Sequence, residues 1–421
     1  MLTNNLPFSL EQVQAIAKEY PTPFYLYDAA GIRRCVKDLQ AAFAWNQGFR
    51  EYFAVKATPT PAILSLLRDL GCGADCASMT ELMLCERLGI TGDGIMFSSN
   101  DTPGEEYAYA RKLGAIINLD DLTHVDFLAA HGGIPDTVCC RYNPGSFSLD
   151  KNAIMGNLHD SKFGMPKDQL LEAFRRLKSM GARHFGLHAM LISCSLDEAY
   201  LPLLLEELLN LALEAREQAG VEVSFIDLSG GVGIPYLPEQ APVDIAAIGE
   251  AVRKVYERLA MPNGLHPRLF TELGRYITGP YGYLVSTVLH EKNTHKHYLG
   301  LDASACDLMR PAIYGAYHHI TVLSKENKPT EEVYDVTGSL CENNDKFAVD
   351  RALPHVDMGD MVVIHDAGAH GRSMGYNYNG KLRCAELLLK EDGSFCMIRR
   401  AETPADYFST LDFTGLFDGP I

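Results

Sequence analysis

Short apolar runs alternate with longer amphipathic runs from about residue 31 to residue 285, and this alternation limits the possible folds more than any other feature. Short apolar runs are typical of buried strands, and longer amphipathic runs are typical of helices. The runs that we interpret as strands end near Val55, Ala74, Phe97, Asn118, Tyr142, His188, Leu228 and Thr271. Strands that alternate with helices form parallel βαβ units. Eight such units in roughly 250 residues favour an α/β fold, a closed (β/α)8 barrel of the TIM type.

The pattern changes after the predicted barrel. From residue 286 to residue 421 the apolar runs are short and separated by turn residues, and long helical periods are rare. This pattern predicts a C-terminal, mainly β domain, a sandwich or a barrel. Pro21–Tyr27 also reads as a strand. We therefore expect residues 1–30 to form an N-terminal segment that pairs with the β domain.

Charge and composition exclude several classes of partner. The formal net charge is −17, which repels nucleic acids and anionic membranes. No apolar run approaches the ~20 residues that a membrane-spanning helix needs, and the N-terminus lacks the pattern of a signal peptide. The 11 cysteines are scattered without metal-ligand spacing. We expect reduced thiols that mostly fill the core, no metal site and a cytoplasmic location.

A lysine ends the first predicted barrel strand, which reads Glu51-Tyr52-Phe53-Ala54-Val55-Lys56. An amine at the mouth of an apolar sheet can lose its proton and attack a carbonyl, as a Schiff-base lysine does. The same residue could instead extend its amine into water, and this segment alone does not decide between the two interpretations.

Other polar groups follow the predicted strands at the end of a barrel where catalysis takes place. Asp75 could hold the lysine or cap a helix, and His188 could face a ligand or pack in the core. The loop 229–233 is Ser-Gly-Gly-Val-Gly, which can bind phosphate through backbone N–H groups or form an ordinary tight turn. Glu272 and Arg275 could bind a ring nitrogen and a phosphate, or form a salt bridge.

These groups together match the needs of pyridoxal 5′-phosphate. The cofactor requires a lysine, a phosphate site and an acid that keeps its ring nitrogen protonated. In the predicted β domain, Cys341 and Glu342 lie in a polar turn, where a thiol can donate a proton. Glycine-rich loops there contain histidine and tyrosine, and Arg310 and Tyr314 add a cation and a phenol.

Ordered motifs from Pro21 to Arg400 resemble a known family. They are Tyr52–Lys56, Gly73–Ser78 with Glu81-Leu82, Ser161–Gly164, Gly230-Gly231, Glu272 with Gly274-Arg275, Cys341-Glu342 and Asp366–Ala369. With these motifs the chain resembles the alanine-racemase-like, fold-type III pyridoxal-phosphate decarboxylases of basic amino acids. Among them it is most similar to the diaminopimelate decarboxylases.

The resemblance implies a function and roles for individual residues. The implied reaction is decarboxylation of meso-2,6-diaminopimelate to L-lysine and CO2, in lysine biosynthesis. The implied catalytic residues are Lys56, which binds the cofactor covalently, and Cys341, which comes from the other subunit of a homodimer and protonates Cα. The remaining implied cofactor contacts are Asp75, His188, Met190, Ser193, Gly230, Gly231, Glu272, Arg275, His370 and Tyr378. The implied substrate contacts are Arg275, Arg310, Tyr314 and Glu342.

Three positions depart from the family pattern. Met190 stands where members usually have a histidine that stacks on the cofactor, Ile192 replaces a glycine, and His370 replaces a tyrosine. A thioether can also pack on an aromatic ring. Two alternatives stay open: a decarboxylase of another basic amino acid or of a carboxylated polyamine precursor, and a homologue that binds the cofactor without catalysis.

Overall fold

The computed structural model of the chain describes residues 6–149, 158–326 and 328–414. The chain forms two compact units. One contains residues 31–235 and 240–278, and the other contains the chain up to Ala30, residues 236–239 and the chain from Gly279 onward. Residues 1–5 and 415–421, the ends of the predicted N-terminal segment and of the predicted β domain, lie outside the described residues.

Strands and helices have the following bounds. The strands are β1 Phe24–Asp28, β2 Arg50–Ala54, β3 Gly73–Cys76, β4 Ile95–Ser98, β5 Ile116–Leu119, β6 Thr137–Arg141, β7 His184–His188, β8 Val223–Asp227, β9 Arg268–Thr271, β10 Gly282–Asn293, β11 His297–Leu301, β12 Ile320–Val322, β13 Glu332–Thr337, β14 Lys346–Leu353, β15 Met361–Ile364, β16 Ala385–Leu389 and β17 Phe395–Arg399. The α-helices are α1 Leu10–Glu19, α2 Ala29–Ala42, α3 Pro61–Asp69, α4 Met79–Arg87, α5 Gly104–Leu113, α6 His124–His131, α7 Lys167–Ser179, α8 Tyr200–Glu214, α9 Ile245–Leu259, α10 Arg275–Thr278, α11 Arg310–Tyr314 and α12 Pro404–Phe408.

Strands β2 to β9 form a closed barrel in which every neighbouring pair is parallel. Each strand ends within two residues of its predicted end, so the (β/α)8 fold is confirmed. Local signals explain where helices begin and end. Asp244 caps α9 by accepting hydrogen bonds from two backbone N–H groups, and Gly114, with φ 76°, follows the last residue of α5.

Large apolar side chains from the strands fill the barrel. The cluster contains Tyr52, Met96, Ile116, Cys139, Phe225 and Phe270. The Phe225 and Phe270 rings stack with centroids 4.9 Å apart. A Cβ atom on Gly186 would overlap the Phe225 ring, so only glycine fits there. The filled interior leaves the carboxyl ends of the strands as the place for a ligand.

The second unit is built on a nine-stranded sheet, which confirms the mainly β domain. Strand β1 pairs antiparallel with β10 and parallel with β16, so the N-terminal segment contributes a strand to this sheet. The apolar runs 282–289, 298–301, 320–323, 333–337, 361–365 and 385–389 predict six strands of this sheet, and no run predicts β14 or β17. Register shifts interrupt the pairing of β14, and β17 is a partly exposed edge strand, so neither has a clear alternation of apolar and polar residues.

All 11 cysteines are free, and eight of them are buried, as expected for thiols that mostly fill the core. Cys341 is exposed, unlike those eight. Among the described residues, no helix is both long enough and apolar enough to span a bilayer.

Candidate active site

Lys56 and Asp75 meet at the carboxyl ends of β2 and β3. Lys56 lies in the 3-10 turn Val55–Ala57, directly after β2. Its Nζ atom is 3.3 Å from Asp75 Oδ2, and its side chain is 55% exposed, whereas that of Asp75 is 1% exposed. Asp75 therefore holds the lysine and does not cap a helix.

The ionisation of this pair differs from the expectation that Lys56 readily loses its proton. The Asp75 carboxylate is the largest influence on the pKa of Lys56 and raises it. Burial, together with the Glu272 carboxylate, raises the pKa of Asp75 to about 8 despite the nearby ammonium. Asp75 therefore binds a proton more tightly than an ordinary carboxylate, while its contact with Lys56 favours the ammonium form of the lysine.

Glu272 follows β9 and accepts hydrogen bonds from three side chains. His188 Nε2 and Ser229 Oγ lie 3.0 Å and 2.8 Å from its Oε2 atom. Ser98 Oγ lies 3.1 Å from Oε1, and Asn118 Nδ2 donates to Ser98 Oγ at 3.1 Å. Three barrel strands and the loop after β8 thus contribute to the surroundings of one buried carboxylate, and His188 has a partner at this site.

Glu272 is the most acidic carboxyl group of a buried cluster. Burial opposes its ionisation, but the charge and hydrogen bond of His188, the charge of Lys56 and the hydrogen bond of Ser229 lower its pKa to about 2. Burial raises the pKa of Asp227 well above its ordinary value, and the Glu272 charge adds to this effect. A ring nitrogen of His188 and carboxylate oxygens of Asp227 and Glu272 lie within 4.8 Å of one another, so the ionisation of the two acids is linked. The cluster concentrates its negative charge on Glu272.

The glycine loop after β8 packs closely against its neighbours. A Cβ atom on Gly230 would come within 2.9 Å of the Glu272 carbonyl oxygen and 3.7 Å of the Met190 sulfur. Gly231 has φ 111°, and a Cβ atom there would overlap the Tyr200 ring and come within 2.7 Å of the Ile192 carbonyl oxygen. Both positions therefore require glycine.

The segment that contains Ser193 lies beside this loop. Ser195 N donates to the Gly231 carbonyl at 2.7 Å, and Gly233 N donates to the Ser195 carbonyl at 2.7 Å. Ile192, which replaces the family's glycine, is buried, and its N–H donates to Tyr200 Oη at 3.4 Å. Arg275 is the first residue of α10, after the turn that carries Glu272.

Arg310 and Tyr314 belong to the short helix α11 of the second unit. Arg310 is 7% exposed, and its guanidinium carbon lies 5.1 Å from the centre of the Tyr236 ring. Tyr314 is 62% exposed. The helix thus places one buried cation and one exposed phenol side by side in the same unit.

Cys341 lies in the exposed loop before β14. Its backbone N–H donates to Asn379 Oδ1 at 2.8 Å, which joins the loop to the turn that contains the half-exposed Tyr378. Asp345 is buried and accepts the N–H of Leu340 at 2.8 Å. Glu342 is exposed next to the thiol. The contacts fix the backbone of the loop and leave the thiol and the Glu342 carboxylate accessible.

His370 ends the loop that begins at Asp366, and both residues have positive φ angles, 55° and 54°. Burial raises the pKa of Asp366 to about 7, far above the ordinary value of 3.8. Asp366 therefore keeps its proton in the folded protein at pH values where it is ionised in the unfolded chain.

The substitution Asp366→Asn is expected to stabilise the protein at alkaline pH. Between pH 3.8 and about pH 7 the unfolded chain releases the Asp366 proton and the folded chain retains it, so wild-type stability falls as the pH rises. Asparagine does not titrate and tolerates a positive φ. The melting temperature of the variant should exceed that of the wild type by several degrees at pH 8, for a gain of about 1–3 kcal/mol, and by less at pH 5.

The matched control for Asp366→Asn is Asp392→Asn. Hydrogen bonds from Ser394 lower the pKa of Asp392, which is an exposed turn residue. This control should show no gain at pH 8. A gain for Asp366→Asn that is equal at pH 5 and pH 8 would contradict the assigned ionisation.

Several residues of the site were not singled out from the sequence. They are Ser98, Asn118, Tyr200, Asp227 and the buried Glu51. Ser98 and Asn118 do end predicted barrel strands, so position in the fold was an available signal. No local pattern marks Tyr200, which reaches the site from α8.

The chain is similar to known proteins both in sequence and in structure. The family described as "Pyridoxal-dependent decarboxylase, pyridoxal binding domain" matches residues 29–279. Protein TabA of Pseudomonas amygdali pv. tabaci is 44% identical over 398 residues, covering 94% of this chain and 93% of TabA. A diaminopimelate decarboxylase of Methanothermobacter thermautotrophicus is 34% identical over 395 residues, covering 93% and 92% of the two chains. The crystal structure of the M. jannaschii diaminopimelate decarboxylase in complex with L-lysine is similar with a TM-score of 0.88 at 28% identity, covering 95% and 94% of the two chains.

Proposed function

The chain belongs to the pyridoxal-dependent decarboxylases, and we propose that within this family it converts meso-2,6-diaminopimelate into L-lysine and CO2. Relatives named diaminopimelate decarboxylase support this substrate at 30–34% identity. The relative at 44% identity has a name, Protein TabA, that specifies no substrate. The substrate proposal therefore depends chiefly on the residues of this chain.

The residues of the barrel fit pyridoxal 5′-phosphate, the cofactor of this family. A buried, ionised Glu272 suits a protonated ring nitrogen, and the Lys56 amine suits covalent attachment. His188 Nδ1 and one oxygen each of Asp75 and Asp227 are buried without a hydrogen-bond partner among the described residues. When bound, the cofactor accepts the electrons that remain on the substrate after CO2 leaves.

We infer that Lys56 and Asp75 form the attachment site. Asp75 Oδ2, 3.3 Å from Lys56 Nζ, accepts the proton that the amine must lose before it can act as a nucleophile. The same contact orients the amine, and burial makes Asp75 a stronger base than an exposed carboxylate.

We assign the other cofactor contacts by the same reasoning. Glu272 would bind the ring nitrogen, and His188 orients Glu272. Met190, whose sulfur lies beside Gly230, would contact the ring. The phosphate would be bound by the glycine loop, where close packing excludes a Cβ atom, by a hydroxyl group and by a cation. These proposed contacts are Gly230, Gly231, Ser193 and Arg275. His370 and Tyr378 are the remaining proposed cofactor contacts.

The choice of substrate depends mainly on one observation, the burial of Arg310. The buried Arg310 guanidinium presents a planar fork of N–H donors that suits bidentate binding of a carboxylate. Diaminopimelate has such a carboxylate at its distal end, whereas lysine and ornithine do not. Tyr314 and Arg275 would contact the same substrate, and Glu342 would bind its distal amine.

We further propose a homodimer with shared active sites. Cys341 of one subunit returns a proton to Cα of the substrate that the other subunit holds. The exposed thiol in a fixed loop is consistent with this role, because a proton donor must be accessible to the second subunit.

The substitution Arg310→Ala is expected to lower kcat/KM for meso-diaminopimelate by about 100-fold, the effect of losing a charge-assisted bidentate interaction. Rates should be measured as CO2 and amine release on a panel of meso-diaminopimelate, L-lysine, L-ornithine, D-configured basic amino acids and carboxylated polyamine precursors. The wild type should prefer diaminopimelate.

Arg351→Ala is the matched control, because the Arg351 guanidinium stacks on Tyr317 in the same unit at 4.0 Å. It should leave kcat/KM for diaminopimelate within about threefold of the wild type. A wild-type preference for another member of the panel, or an Arg310→Ala variant with an unchanged rate on diaminopimelate, would reject the proposed substrate. Because the relative at 44% identity is not named as a diaminopimelate decarboxylase, decarboxylation of another basic amino acid or of a carboxylated polyamine precursor is the second candidate.

A further inference from the structure

Glu51 is a buried acid in a strand of the barrel. It lies in β2, is 2% exposed, and is paired in register with Thr271 of β9. Strands β2 and β9 are the first and last strands of the barrel, so Glu51 lies at the seam where the barrel closes. Burying a carboxyl group at such a position costs free energy unless hydrogen bonds compensate for its lost hydration.

Both oxygens of Glu51 bind the strand end that carries Glu272. Thr271 Oγ1 is 2.5 Å from Glu51 Oε2, and the Leu273 N–H donates to Glu51 Oε1 at 2.8 Å. Thr271 and Leu273 are the residues immediately before and after Glu272. Glu51 therefore fixes the backbone on both sides of the carboxylate that we assign to the cofactor ring.

The opposite side of Glu272 is fixed by β8. The Glu272 N–H donates to the Ser229 carbonyl at 2.7 Å, and a Cβ atom on Gly274 would come within 2.7 Å of Ala57 Cβ, next to Lys56. The turn 271–274 is thus held between the ends of β2 and β8. Because the β2–β9 ladder stops at the pair Glu51–Thr271, the Glu51 side chain supplies the contact that the backbone ladder no longer makes.

We propose that Glu51 is a positioning residue, which acts through Glu272 by holding its backbone in the orientation that aims the carboxylate at the cofactor ring. The proposal rests on the proposed role of Glu272 and is independent of the identity of the substrate. A misplacement of about 1 Å is enough to weaken a preorganised interaction strongly.

The test compares variants by their affinity for pyridoxal 5′-phosphate, by the visible absorbance spectrum of the loaded protein and by melting temperature. Glu51→Met removes both hydrogen bonds at similar volume and should raise the Kd for the cofactor about tenfold and change the spectrum. Glu51→Gln should stay near the wild type, because its amide can accept from the Leu273 N–H and donate to Thr271 Oγ1. Thr271→Val removes one of the two bonds and should give an intermediate Kd.

Asn46 provides a control at the opposite end of the barrel seam. It precedes β2 and contacts the beginning of β9. Asn46 is buried, accepts the Leu269 N–H at 2.9 Å and donates to the Pro267 carbonyl at 3.3 Å. Asn46→Leu should lower the melting temperature as much as Glu51→Met, while leaving the Kd and the spectrum unchanged. Comparing the two variants distinguishes a loss of stability at the barrel seam from a misplacement of Glu272.

The outcomes distinguish this inference from the function on which it rests. If Glu51→Met folds and changes only the melting temperature, Glu51 is a structural residue and the inference is overturned. If Glu51→Met does not fold, Thr271→Val decides, and an unchanged Kd overturns the inference in the same way. If Glu272→Gln itself leaves the spectrum and Kd unchanged, the proposed role of Glu272 is wrong and the inference falls with it.

Discussion

Replacing Lys56 with alanine is expected to abolish decarboxylation, with kcat lowered by about 10³-fold or more. The amine is the only nucleophile that we assign to covalent attachment of the cofactor, and its carboxylate partner, Asp75, is buried beside it at 3.3 Å. The measurement is release of CO2 from meso-diaminopimelate under saturating cofactor. In addition, borohydride reduction followed by mass spectrometry should attach the cofactor to residue 56 in the wild type and not in the variant.

Lys254→Ala is the matched control, because Lys254 is an exposed lysine on α9 that pairs with Glu250 at 3.8 Å. It should retain the wild-type kcat. A Lys56→Ala variant with more than about a tenth of the wild-type kcat would reject the covalent role of this residue.

The Lys56→Ala protein also tests the shared active site. Cys341→Ala should be nearly inactive by itself, because it lacks the proton donor. When the two variants are mixed and allowed to exchange subunits, half of the dimers contain one chain of each kind. Each mixed dimer then has one intact site, so about a quarter of the wild-type activity should return. A mixture that stays inactive would contradict a site shared between subunits.

Replacing Glu272 with glutamine is expected to lower kcat by about 10²–10³-fold, the usual effect of losing a preorganised electrostatic contact. The carboxylate is ionised because His188, Lys56 and Ser229 together overcome its burial and lower its pKa to about 2. A neutral amide has no charge to hold the cofactor ring in its protonated form, which is the form that accepts electrons. The measurements are kcat and the visible spectrum of the loaded protein.

The control for this variant is Glu257→Gln, because Glu257 is a half-exposed carboxylate on α9 that pairs with Arg253 at 2.8 Å. This control should change neither quantity. If Glu272→Gln retains kcat within a factor of about two, the electrostatic role assigned to Glu272 is excluded.

Position along the chain placed several candidate site residues at the same end of the barrel. Lys56, Asp75, His188 and Glu272 each lie at the end of a barrel strand, and the structure brings them together in pairs. The order of apolar runs was sufficient for this, because parallel strands of a closed barrel end on the same side. The pattern could not distinguish a lysine held by a carboxylate from one that extends into water.

The sequence alone determined the barrel, the mainly β unit and the strand ends, since hydrophobic periodicity depends only on neighbours along the chain. Only the tertiary structure decided which polar groups lie close enough to hydrogen-bond and to shift one another's pKa values. His188 and Glu272 are 84 residues apart in the chain, and Thr271 and Glu51 are 220 apart. A pKa or a backbone position depends on distances in space, and pairs so far apart in sequence acquire those distances only when β2 meets β9 and the barrel closes.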